Sequence, residues 1–396
     1  MELIKLLTVL TIFSIIPGQL IRIPISQSAI VTISDIASAF LLVVFLLYST
    51  SIKKKLFLPK SLFIPFLIFT LTAVTSTILA SVNFSQREIF VALLFLVRYI
   101  LYFSIFIIVA NTVKKTEVIN WLNLFLTTSV IFSILGFLQF IFFSDLTVLA
   151  IYGWDPHQKR IVSTLLDPNF TGGLLTIAFA ISISLFLYLK KRIYLVVTAV
   201  LFSALILTFS RSSYLALVCT VFVIGLLKSP KVLVIFLFII LLSFISIPQA
   251  RNRVLGALAL DETSQARIQS WSKALMIFKD NPILGVGFNT YRATQAQYGF
   301  FASEQPEGGH SGAGTDSSIL LVLATTGVVG IAAYLAFLFA IAKTVTKNVR
   351  SSPLSLGATA AFVGLLVHSQ FVNSLFFPQI MIIFFFLLGL CVVYDN

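Results

Sequence analysis

Charge is scarce in this chain, and so is cysteine. Charged residues fill 10% of the 396 positions against 59% hydrophobic. That balance excludes an ordinary soluble core and describes repeated bilayer crossings. The two cysteines, Cys219 and Cys391, both fall inside apolar runs, which argues against a disulfide framework or a cysteine metal cluster. The glycine stretches "GVGF" and "GGHSGAG" lack the Lys-Ser/Thr ending of a phosphate loop and follow no soluble βα unit, so no nucleotide site is indicated. The apolar "LLTVLTIFSII" after Lys5 is followed by "PGQLIRIP", without an A-x-A-like cleavage site, and reads as a retained first helix.

What is present is a series of apolar runs, each near the length a helix needs to cross the hydrocarbon. Twelve are expected to span, near residues 3–20, 28–50, 61–83, 88–111, 117–143, 170–190, 193–209, 211–228, 231–248, 317–341, 353–374 and 376–393. The seventh and eighth are separated only at Ser210–Arg211. Basic residues are retained on the cytoplasmic side in short connections. With both termini cytoplasmic, fifteen lie inside: Lys5, Lys53, Lys54, Lys55, Lys60, Lys114, Lys115, Lys190, Lys191, Arg192, Lys228, Lys231, Lys343, Lys347 and Arg350. The short outer connections hold Arg22, Arg87 and Arg211, and a medium-length loop holds Lys159 and Arg160. The net charge of +13 is in part this topological bias. It implies no nucleic acid, and the inner loops would favour anionic lipid headgroups.

The expected fold class is therefore an all-α polytopic membrane protein, one membrane domain over residues 1–396. Two outer connections are long, about 144–169 and about 249–316. Within the second, an amphipathic helix is expected near 261–280, with N-cap candidates Asp261 and Thr263, Arg267, Trp271 and Leu275 spaced four apart, and Asn281–Pro282 at its end.

Ionisable groups near a membrane core are functional candidates. Asp35, Arg211, Asp316 and His368 all fall toward the outer face, with Arg98 nearer the middle of its run. Helices beginning at that face point free N–H groups at one layer, which attracts anions. Arg160, Arg211 and Arg267 would add guanidinium forks suited to phosphate. Such a site suggests group transfer from a lipid-linked phosphate donor, with Asp316 or His310 as base. Plainer roles stand beside these. Asp316 would cap the tenth helix, Arg211 would anchor at the interface, and Arg98 would pair with an acid or carbonyl. His368 would hydrogen-bond between helices, and Asp167 with Pro168 would start the sixth.

The pieces "TISDIASAFLLV", "LVRYILYF", "RIVSTLLDPNFTGGLL", "LTFSRSSYLALV", "RIQSWSKALMIFKDNPILGVGFNTYR" and "TDSSILLVLATTGVVG", in that order, resemble the O-antigen ligase and O-antigen polymerase superfamily of bacterial membrane glycosyltransferases. The resemblance runs over nearly the whole chain. It implies a fold of the GT-C type, with about twelve spans and a large extracytoplasmic loop before the tenth, in the bacterial inner membrane. It further implies metal-independent, inverting transfer of a glycan from undecaprenyl pyrophosphate to an acceptor hydroxyl in polysaccharide or lipopolysaccharide assembly, with no cofactor. Arg211 of "SRSS" and Arg267 of "ARIQSW" match the family's functional arginines and are expected to hold the pyrophosphate, with Arg160 and His368 as further substrate-binding candidates. Many ligases have His-Asn at the head of "HNxxLxxLxxxGxxG", where this chain has Asp316-Ser317. Either Asp316 takes the base's place, as in the related cell-wall glycan polymerases, or His310 reaches in from six residues upstream. A secondary transporter or flippase of lipid-linked oligosaccharide is the alternative, since twelve spans are common there too.

Overall fold

Each of the twelve apolar runs has a helix at its centre. The computed structural model describes residues 1–25, 29–52, 56–301 and 314–395; Lys53, Lys54, Lys55 and the candidate base His310 lie outside them. In chain order the elements are α1 (Glu2–Phe13), β1 (Arg22–Pro24), β2 (Ile30–Thr32), α2 (Ile33–Ser51), α3 (Lys60–Ala80), α4 (Gln86–Thr112), α5 (Val118–Phe142), α6 (Pro168–Leu189), α7 (Arg192–Ile206), α8 (Arg211–Leu227), α9 (Pro230–Ser246), α10 (Pro248–Leu258), α11 (Glu262–Asp280), α12 (Tyr291–Gln297), α13 (Ser318–Val345), α14 (Pro353–His368) and α15 (Pro378–Asp395).

Six of the described helices, α2, α3, α4, α5, α6 and α13, are long and apolar enough to cross a bilayer; α9 and α10, bent by 96°, make a seventh if joined. The chain is thus a multi-pass membrane protein. Twelve crossings require the shorter apolar helices to cross as well.

Local chemistry explains the boundaries. The first apolar run stops as a helix at Phe13, short of residue 20, because Pro17 and Gly18 (φ +52°) turn the chain. Reciprocal capping boxes start α2 at Thr32 and Asp35 and α4 at Ser85 and Glu88. Asp167 caps α6, its Oδ1 accepting from the N–H groups of Asn169 and Phe170 at 2.7 and 3.0 Å, with Pro168 at the first helical position.

The centre of the bundle is α6, whose apolar window is 83% buried. It packs against α7, α8 and α14, and small residues allow the close approach. A Cβ on Gly172 would clash with Ser213 Oγ. The side formed by α3, α4, α13 and α15 is filled instead by stacked and edge-on rings of Phe66, Tyr99, Phe103, Phe337 and Phe385.

One spanning helix is broken. At Gly327 (φ 64°, ψ −164°) the ladder of α13 opens, and the turn Pro282–Gly287 fills the gap. Val328 N donates to Pro282 O at 2.8 Å, Val286 N to Ala324 O at 3.2 Å and Gly287 N to Thr325 O at 2.9 Å. Ser76 of α3 adds a hydroxyl donor to Leu284 O and Thr325 O. The freed backbone groups are therefore satisfied by protein, as hydrocarbon demands. The expected outer loop of 249–316 thus contributes α10, α11 and a turn that inserts into α13.

Candidate active site

The site is assembled on α11. Its N-cap is Asp261, whose Oδ1 accepts from Ser264 N at 3.0 Å. Arg211, the first residue of α8, reaches across to the same carboxylate. Its Nη1 donates to Asp261 Oδ1 and to Ser264 Oγ, each at 2.9 Å, and its Nη2 to Asp261 Oδ2. This fork holds the Asp261 carboxyl well below the usual carboxylate range. It also fixes the start of α8 to the start of α11, with the arginine side chain 12% and the aspartate 34% exposed.

The next inward-facing positions follow at helical spacing. Arg267 comes three residues after Ser264, then Ser270 and Trp271. Ser270 Oγ accepts from Asp316 N at 3.0 Å, and Trp271 Nε1 donates to Asp316 O at 3.1 Å. Thr315 Oγ1 lies 3.0 Å from Ser270 Oγ. The backbone of residue 316 is thereby docked on α11, while Ser317 performs the N-cap of α13 by accepting from Leu320 N at 3.2 Å. The Asp316 carboxylate has no hydrogen bond or ion pair among the described residues, and it lines a cavity of about 720 Å³.

The field around that carboxylate is mixed. Burial raises the Asp316 carboxyl above its ordinary value; Arg267 pulls it down, and Asp167 and Asp155 push it up. Arg267 is lowered by burial and raised by Asp316. The two are electrostatic neighbours, and Arg267 has no hydrogen-bond partner among the described residues.

The other candidates lie elsewhere. Arg160 is 8% exposed; its Nε donates to Thr208 O at 2.9 Å and its Nη2 to Phe209 O at 3.1 Å. It buttresses the turn between α7 and α8, where Phe209 takes φ +48°. His368 is fully buried in α14, its Nε2 3.3 Å from Ser212 Oγ and 3.2 Å from Ser213 Oγ on α8. Of the predicted residues, Asp316 lines the cavity, whereas Arg160, Arg211, Arg267 and His368 do not. Arg98 pairs with Asp35 through Nε at 2.7 Å and Nη2 at 3.0 Å.

Several cavity residues escaped the sequence reading as site residues: Asp155 and His157 in the loop before α6, and Arg22, Arg87 and Arg292. Arg253 on α10 also went unnoticed, though its charge reaches Arg160; the polar start "RNR" just after Pro248 was its one sequence signal. Asp155, His157 and Asp167 each offer a metal-ligand atom, all within 4.8 Å of one another. His157 Nε2 is buried without a hydrogen-bond partner among the described residues, and burial drops the ring's pKa to about 4. A neutral imidazole, a borderline ligand, stands here with two hard carboxylates, although Asp167 already caps α6.

These features define a multi-pass membrane protein with a cavity whose mixed lining includes a docked carboxylate and guanidinium groups. Residues 196–335, just over a third of the chain, match the family model of the O-antigen ligases. The matched segment runs from α7 into α13 and contains Arg211, Arg267 and Asp316, so the resemblance to the O-antigen ligase and polymerase superfamily is borne out there. At the level of reaction class, that family implies glycosyl transfer. No curated protein matches the chain.

Proposed function

We propose that the protein transfers a glycan from an undecaprenyl pyrophosphate carrier to an acceptor hydroxyl at the extracytoplasmic face of the bacterial inner membrane, as an O-antigen ligase or polysaccharide polymerase. The observation that carries this reading is the Asp316 carboxylate, held by its backbone, unpaired among the described residues, and facing a cavity with Arg267 as its charged neighbour. Asp316 takes the proton of the acceptor hydroxyl, whose oxygen attacks the anomeric carbon from the face opposite the leaving group. The bond to the pyrophosphate breaks with inversion, and the positive charge of Arg267, beside Asp316 but set back from the cavity, favours the charge that develops on the departing oxygens. Pyrophosphate is a good leaving group, so positioning and charge suffice without a metal or other cofactor. Asp316 is preferred over His310 as base because its backbone is fixed on α11.

Arg211 differs from the role the resemblance implies. Its Nη1 and Nη2 are taken by Asp261 and Ser264, while its buried Nε has no partner among the described residues; on this reading it acts as a positioning residue that sets the register of α11 and, through it, of Arg267 and Asp316. Arg160 holds the α7–α8 turn in the same supporting way, and His368 holds α8 against α14. The wider frame is twelve crossings in a fold of the GT-C type, with both termini cytoplasmic.

The test uses purified protein in liposomes with a labelled lipid-pyrophosphate oligosaccharide. Wild type is expected to form a new glycosidic bond, and Asp316→Asn to lose about 10²- to 10⁴-fold in rate, the range of general-base catalysis, while His310→Ala stays near wild type. Full activity in Asp316→Asn removes the proposed base. Label that crosses the bilayer without any bond formed replaces the transferase by a flippase.

A further inference from the structure

Asn169 and Phe170, in the first turn of α6, line the same cavity as Asp316 and lie outside the segment that matches the O-antigen ligases. Asn169 is half-buried, and its Oδ1 accepts from Ser210 Oγ at 2.8 Å. Ser213 Oγ donates to Ser210 Oγ at 2.9 Å and lies 3.2 Å from His368 Nε2. A hydroxyl has one hydrogen to give. Ser210 spends its hydrogen on Asn169 and Ser213 spends its own on Ser210, so His368 donates from Nε2. The chain of bonds therefore runs one way, from α14 through α8 to α6. Ser210, Ser213 and His368 are all buried, and His368 Nδ1 has no partner among the described residues.

This chain fixes which way the Asn169 amide faces. Ser210 Oγ already accepts from Ser213 N and from Ser213 Oγ, which fills its two lone pairs. A flipped amide would bring it a third donor, so Oδ1 belongs on the Ser210 side. Asn169 Nδ2 is left with no hydrogen bond among the described residues. Around it the cavity wall carries the stacked rings of Phe170 and Phe377, centroids 3.8 Å apart, and the acids Asp155, Asp167 and Asp316. Carboxylates repel a phosphate but accept hydrogen bonds from hydroxyls, and ring faces pack against the C–H face of a sugar.

We infer that Asn169 reads the sugar: its Nδ2 donates to one hydroxyl oxygen of a glycan in the cavity, and the Ser210–Ser213–His368 chain holds the amide in that orientation. This role presupposes the proposed glycan transfer. His368 is then a positioning residue that acts on substrate through Asn169 and not by contact.

The test is run in liposomes with the labelled lipid-pyrophosphate oligosaccharide, intact and as a panel of analogues each lacking one glycan hydroxyl. The panel is placed first in the donor and then in the acceptor. Wild type is expected to discriminate against one analogue by about tenfold in kcat/KM, the scale of one hydrogen bond; the arm in which this occurs assigns the hydroxyl to the transferred or to the accepting glycan. Asn169→Ala is expected to lose about tenfold on the intact glycan and almost nothing on that analogue, so the discrimination vanishes at one position. The N-cap of α8 survives this change, because Ser213 N still donates to Ser210 Oγ. Asn169→Asp, which keeps an acceptor for Ser210 and exchanges only the NH2, is expected to lose the same discrimination on the plateau of the pH profile. Ser213→Ala opens the chain and is expected to reduce the discrimination about threefold, whereas a merely structural serine would slow every analogue alike. Discrimination that persists in Asn169→Ala, or a wild type that discriminates against no analogue, overturns the sugar-reading role while glycan transfer stands. Discrimination intact in Ser213→Ala overturns the positioning chain. Absence of product from wild type overturns the transfer reading, and this role with it.

Discussion

The two arginine groups of this molecule are used in opposite ways. At the α8–α11 junction the forks are spent on the protein: Arg160 on the carbonyls of Thr208 and Phe209, Arg211 on Asp261 and Ser264. At the cavity Arg98 is likewise spent, on Asp35 and Ile30 O, whereas Arg22 lies across an indole and Arg87 is exposed on the first turn of α4. A guanidinium whose Nη atoms are held by a carboxylate fixes where one helix starts relative to another, even though Arg211 keeps a buried Nε without a partner among the described residues. The comparison therefore separates arginines whose side chains are held by protein groups from Arg22 and Arg87, whose guanidinium groups have no hydrogen-bond partner among the described residues.

The sharpest way to break that division is a double-mutant cycle on Arg211 and Asp261. If the pair acts by placing α11, Arg211→Ala and Asp261→Ala each lower kcat about 10²-fold, the scale of a small misplacement at the reacting centre. The double variant is then scarcely worse than either single one. Donor KM changes little in all three. A rise in donor KM for Arg211→Ala, with Asp261→Ala silent, would make Arg211 a ligand-binding residue.

A smaller effect tests the field around Asp316. Asp167 raises the Asp316 carboxyl and Arg267 lowers it. A base must be ionised, so activity is lost as pH falls through the Asp316 pKa, which lies above the ordinary aspartate value. Asp167→Asn removes a neighbouring negative charge while keeping an N-cap for α6, and the acid limb of the pH–rate profile should move to lower pH. Arg267→Gln should move it to higher pH and also slow the reaction. Coincident acid limbs in all three proteins would take the titrating group away from residue 316.

Much of the frame was legible because apolar length and polar interruption are local properties. A helix lies at the centre of each of the twelve runs, although the first stops at Phe13; α11 starts at its Asp261 cap, and α8 starts after Ser210. Features that depend on distant partners were hidden. Asp316 and Ser317 are both good capping residues, and Ser317 takes the cap because Ser270 and Trp271, more than forty positions earlier, hold the backbone of Asp316. The opening of α13 at Gly327 leaves only a glycine in an apolar run; its cause is the Pro282–Gly287 turn that docks there. The Arg211–Asp261 pair, fifty positions apart, and the gathering of Arg22, Arg87 and Arg292 at one cavity likewise need the fold. Charge sorted by depth groups residues into one expected layer, but not by which side chains face the cavity.

The weakest expected effect is that of chelation, and it bears on the boundary between the two arginine groups. Asp155, His157 and Asp167 sit there with ligand atoms within 4.8 Å. A divalent ion among them would supply the positive charge that the proposed mechanism asks of Arg267. Two features oppose that role. Asp167 Oδ1 already accepts two backbone N–H groups, and Arg160 and Arg267 both act on the Asp167 carboxyl, so an arriving cation competes with two guanidinium charges. Dialysis against EDTA should therefore leave the transfer rate within about twofold, and added Mg²⁺ or Mn²⁺ should not raise it, since the arginines already stabilise the leaving charge. A rate lost on chelation, restored by a divalent ion and no longer restorable in Asp155→Asn, would transfer that task from the guanidinium groups to a metal.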